Sequence, residues 1–191
     1  MTTNPMPSEQ LRPGAEAITA LIAGMTPDQL DNPTPCSDWS VRDLLNHVVG
    51  GAHMFGAAFS GQLPAGGHDG PVDLLGDSPA TAWQGAVDAF IAGVNSPGAL
   101  ENIVPMPWGP TPGTVMYELL KFDVLVHAWD LARATGQSFD PSAEWVDGTI
   151  EVARQLISPE LRASGAFAPE VVPPAGASPI ERLAAFTGRS V

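Results

Sequence analysis

Apolar residues recur along the chain at helical spacing, in stretches separated by proline- and glycine-rich joints. From about Ser8 to Met25, Ile18, Leu21 and Ile22 share one face of a first helix. The next stretch, TPDQLDNPTPCSDW, holds three prolines and reads as a loop. A second helix opens at Ser40, where Asp43 three residues on completes a capping-box pattern, and runs through VRDLLNHVVGGAHMFGAAF to about Ser60. Beyond the loop GQLPAGGHDGPVDLLGD, Ser78 caps a third helix from about Pro79 to Val94. Four prolines in GALENIVPMPWGPTPG, residues 98–113, forbid a central strand and leave a short hairpin or an extended crossover. A fourth helix spans about Thr114 to Thr135 and stops at Gly136, a residue suited to the left-handed position after a helix. A fifth starts near Pro141 behind Asp140 and lasts to about Ile157, and a short helix follows Ser178. Long helices with little strand signal, no repeats and no boundary predict an all-α helical bundle, one domain over residues 1–191.

The fourth helix breaks its own pattern. In KFDVLVHAWD, residues 121–130, Asp123, His127 and Asp130 stand among Phe, Val, Leu, Ala and Trp. At 100° per residue the three fall within about 60° of one another, stacked along one narrow sector. They form either the wet strip of a mostly buried helix or the start of a site. The strip lacks the Lys and Glu of a solvated face, and a carboxylate four residues before an imidazole lets both reach one metal ion. Asp130 either orients one of these groups or pairs with Arg133 one turn on. A further ligand must come from another helix. His47 and His53 both lie on the second helix, at opposite edges of its apolar stripe, and spacing leaves the two open. His68, in a glycine-rich loop, reads as solvent-exposed.

Charge and composition narrow the field. The net charge is −13, from 21 acidic and 8 scattered basic residues, which disfavours nucleic acid and anionic membranes as partners. No apolar run approaches the roughly 20 residues that cross a bilayer, and no signal peptide is visible, so a cytoplasmic address is expected. The single cysteine, Cys36, excludes a disulfide framework. It is either a thiol activated near the start of the second helix or a small buried residue. Trp39 and Trp129 read as core packing, and Trp108 as a candidate pocket wall. No G-x-S-x-G elbow points to a serine hydrolase.

Together, TPCSDWSVRDLLNHVVG and DVLVHAWDLARATG resemble the actinobacterial branch of the DinB-like superfamily. That branch is similar to the metal-binding N-terminal domain of mycothiol-dependent maleylpyruvate isomerase, and PIERLAAFTGR resembles the chain ends found in it. The resemblance implies an antiparallel four-helix bundle with a divalent metal, zinc or nickel, between helices. It places the ligands at His47, Asp123 and His127, with Asp130 orienting one of them. Asp123 stands where the isomerase usually carries glutamate, which implies a shorter reach to the ion. The implied chemistry is that of a metal-dependent transferase or isomerase, activating a low-molecular-weight thiol such as mycothiol toward a small electrophile. The competing expectation is a non-catalytic metal- or small-molecule-binding protein of stress response. Either would act as a monomer or homodimer.

Overall fold

The computed structural model describes residues 6–36, 38–62, 72–106, 109–163 and 167–191. The stretch 63–71 with His68, and Trp108, lie outside the described residues. The described residues include seven α-helices and one two-stranded sheet: α1 Pro7–Ala23, α2 Val41–Phe59, α3 Pro79–Val94, β1 Ile103–Met106, β2 Gly109–Pro112, α4 Gly113–Thr135, α5 Ala143–Leu156, α6 Pro159–Ala163 and α7 Pro179–Phe186. The expected helix starts at Ser40 and Ser78 hold, because each hydroxyl accepts a backbone N–H of the first turn. Gly136 ends α4 in the left-handed conformation, φ 69°. The proline-rich stretch folds as a hairpin with Val104 opposite Thr111. Both strands are edges, so prolines cost no ladder that a third strand would need.

Two element readings are corrected. The fifth helix begins at Ala143 rather than near Pro141, because Ser142, not Asp140, accepts the Trp145 amide. Within the stretch read as loop, Pro27–Asp31 forms a 3-10 turn capped by Thr26 and Gln29. The short α6 has no counterpart in the apolar pattern.

α1 and α2 each pack on both α3 and α4, while α5 and α7 pack on α4 and on each other. α4 is therefore buried from two sides. Leu120, Ala128 and Leu131 join the core shared with α1, α2 and α3. Phe122, Leu125, Val126 and Trp129 join a second core with Val146, Ile150, Leu183 and Ala184. A helix covered in this way must be apolar nearly all round, so its few polar residues stand out. Among the described residues no helix is long and apolar enough to cross a membrane.

Candidate metal centre

α2 is held at its start by a reciprocal cap. Ser40 donates from N and Oγ to Asp43 Oδ2, at 2.9 and 2.6 Å, and accepts the Asp43 amide at 3.2 Å. These bonds hold the Asp43 carboxyl below its usual range. With Val41, Leu44, Leu45, Val48 and Val49 buried, His47 falls at the edge of the helix facing α4. His47 and His53 are both exposed on this helix, and only His47 joins the cluster.

On α4 the polar sector faces protein rather than bulk water. Asp123 is partly buried, His127 is buried and Asp130 is 0% exposed. His47 Nε2 lies 3.4 Å and His127 Nε2 3.3 Å from the same oxygen, Asp123 Oδ1. All three residues offer a ligand atom within 4.8 Å of the others. The two spacings to Asp123 suit a shared ion. Ligand bonds of about 2.0–2.1 Å in tetrahedral array separate neighbouring donor atoms by about 3.3–3.4 Å. Charge-assisted hydrogen bonds would instead close to about 2.7–2.9 Å.

Burial opposes charge on both α4 residues, yet their mutual attraction wins. The Asp123 carboxyl falls far below its usual range under the pull of His127 and His47. Burial would lower His127, but the Asp123 and Asp130 carboxylates raise it from 6.5 to about 9. A divalent cation entering such a site would have to displace the imidazole proton.

Asp130 does not pair with Arg133. Arg133 is exposed and lies over the Trp129 ring, 5.6 Å from its centroid. Asp130 Oδ2 sits 3.0 Å from His127 Nδ1, and its carboxylate accepts Arg189 Nε at 3.0 Å and Nη2 at 2.7 Å. Burial works against the Asp130 anion, but His127 and Arg189 still bring its carboxyl below the usual range. Arg189 drew no attention in the sequence as a site residue, although it closes the PIERLAAFTGR stretch.

Trp39 does more than pack. It touches the core, and its ring centroid lies 4.9 Å from His47 and 6.0 Å from His127, so the indole flanks both imidazoles. Thr34 ties its loop: the Thr34 amide and hydroxyl both donate to the Trp39 carbonyl at 3.0 Å. Asp38 beside it takes the left-handed conformation, φ 69°, which Asp tolerates better than most residues. Cys36, in the same loop, is partly buried, and burial pushes its thiol up despite Arg189 nearby. It lies ahead of α2, and its thiol is raised rather than lowered.

These observations define a mostly helical protein with a candidate His, Asp, His metal centre shared by two helices. Residues 11–132 match the family described as mycothiol maleylpyruvate isomerase N-terminal domain, and the chain belongs to it. Uncharacterised proteins from two strains of Mycobacterium tuberculosis are each 41% identical over 178 residues, covering 92% of this chain and 93% of theirs. No solved structure matches the chain. His47, Asp123, His127 and Asp130 fall inside the family match; Arg189 falls beyond it.

Proposed function

We propose that His47, Asp123 and His127 hold one divalent ion, zinc or nickel, and that the protein is a metal-dependent transferase or isomerase acting with a small thiol such as mycothiol. The observation that carries the reading is the pair of distances, 3.3 and 3.4 Å, from Asp123 Oδ1 to imidazole nitrogens on two helices. Three protein donors leave at least one position open, as in catalytic rather than structural sites. The ion supplies a Lewis acid that lowers the pKa of a thiol reaching that position.

The chain's own residues divide the remaining work. Asp123 offsets part of the ion's charge, and Asp130 orients His127. Trp39 walls one side of the imidazoles and excludes water there. Cys36, with its raised thiol, is a poor nucleophile, which favours an external thiol as the attacking group. Family membership supports mycothiol as that thiol. The paired packing of α1 and α2 on α3 and α4 supports an antiparallel four-helix, DinB-like bundle, which we take as a single cytoplasmic domain.

The test is a screen of zinc- and nickel-loaded protein, with small thiols against activated aryl halides and unsaturated acids. Thiol consumption that disappears with His127→Ala supports the reading. Stoichiometric metal with no turnover of any pair supports instead the non-catalytic binding protein.

A further inference from the structure

The centre's deepest contact comes from the far end of the chain. Ser178 and Glu181 form a capping box that starts α7, with Ser178 donating from N and Oγ to Glu181 Oε2 at 2.8 Å each. Leu183, Ala184 and Ala185 are fully buried along it. After α7 the chain turns back on itself: Gly188 adopts φ 92°, and the Arg189 amide donates to the Ala184 carbonyl at 3.0 Å. Only glycine suits that turn, because a Cβ would strain the backbone and fall 2.5 Å from Ala168 Cβ. Arg162 braces the same corner, donating to the Phe186 and Ala168 carbonyls at 2.8 and 2.6 Å. The result delivers the guanidinium of buried Arg189 onto Asp130.

We infer that Arg189 is a positioning residue: through Asp130 it fixes the ring orientation and tautomer of His127, which makes the C-terminal segment a working part of the centre. The forked guanidinium donates to both carboxylate oxygens and so sets the carboxylate plane. Oδ2 is then aimed at His127 Nδ1. An ionised carboxylate only accepts, so Nδ1 keeps its hydrogen toward Asp130 Oδ2 at 3.0 Å, and it is Nε2, at the longer 3.3 Å from Asp123 Oδ1, that gives up its hydrogen and presents a lone pair to an ion. Without Arg189 the carboxylate can rotate away from Nδ1, and the hold on the ring that presents Nε2 is loosened. The role at the metal rests on the function proposed above; the control of the ring does not.

Two readouts test this. The first is zinc affinity, by competition with a chromophoric chelator, for the native chain, Arg189→Met, Arg189→Lys and the double variant Asp130→Leu/Arg189→Met. The second is the imidazole nitrogen NMR of His127 in metal-free protein, in alkaline solution where the ring is neutral. We expect Arg189→Met to weaken zinc binding roughly 10- to 100-fold, with Arg189→Lys intermediate, and to release the ring from its Nδ1–H form. The double variant replaces both charges with apolar groups and leaves neither unpaired, so it keeps a folded chain if Arg189→Met does not. It should show the same affinity loss. Affinity within threefold of native in the double variant, with the native ring not held as Nδ1–H, would overturn the inference and leave a purely structural ion pair. A native chain that takes up no zinc while its ring is held by Arg189 overturns the metal reading alone.

Discussion

Arg189 and Asp130, 59 positions apart, form a two-pronged ion pair with no room for water around the carboxylate. Removing one member leaves the other charged and buried. Asp130→Ala should therefore destabilise the metal-free fold by about 3–5 kcal/mol, whereas Asp130→Leu/Arg189→Met leaves only the His127 Nδ1–H without its partner and should cost less, about 1–2 kcal/mol. Urea unfolding midpoints check both, and equal losses in the two variants would show that the buried charge is not what costs stability.

The pH response has opposite signs with and without metal. His127 is raised from 6.5 to about 9 in the metal-free chain. A raised value means the protonated ring stabilises the fold fully below pH 6.5, and that contribution is lost as pH rises through about 9. Metal binding must displace the same proton, so affinity should climb with pH over this window, by up to about tenfold per unit for one proton. Melting temperatures should fall from pH 6.5 to 9 without metal, while the increment from added zinc grows. An increment that stays flat over this range would mean that His127 does not ligate.

Ser40 joins the loop carrying Trp39 to the helix carrying His47. Ser40→Ala removes the acceptor for the Asp43 amide and should cost about 1 kcal/mol in denaturant unfolding. Metal stoichiometry should not change, because the second turn of α2 is held by Leu44, Leu45 and Val48 in the core.

Cys36 should alkylate slowly near neutral pH, at a rate below that of a free small thiol, and should speed up as pH rises past the ordinary thiol range. Fast labelling at pH 7 would contradict the burial assigned to it and reopen its candidacy as a nucleophile.

What the sequence discloses follows the range of the interactions. Helix caps at Ser40, Ser78 and Ser178 are local and legible, as is the spacing that stacks Asp123, His127 and Asp130 on α4. His47 and His53 are not distinguishable by spacing, because what separates them is which edge of α2 meets α4, a tertiary fact. Trp39 carries no periodic signal, since a short loop rather than a helix places it. Arg189 was visible only as part of a recognisable chain ending. Its partner Asp130 had a nearer cation at i+3, and local reasoning cannot see that Arg133 turns outward onto Trp129.

Whether two helices share one ion is decided by elemental analysis. The native chain, His47→Ala and His127→Ala would be purified after equilibration with zinc or nickel and their metal content compared. About one divalent ion per native chain is expected, and its loss in both variants, although the two histidines sit on different helices. No stoichiometric metal in the native chain, or retention in either variant, would contradict it.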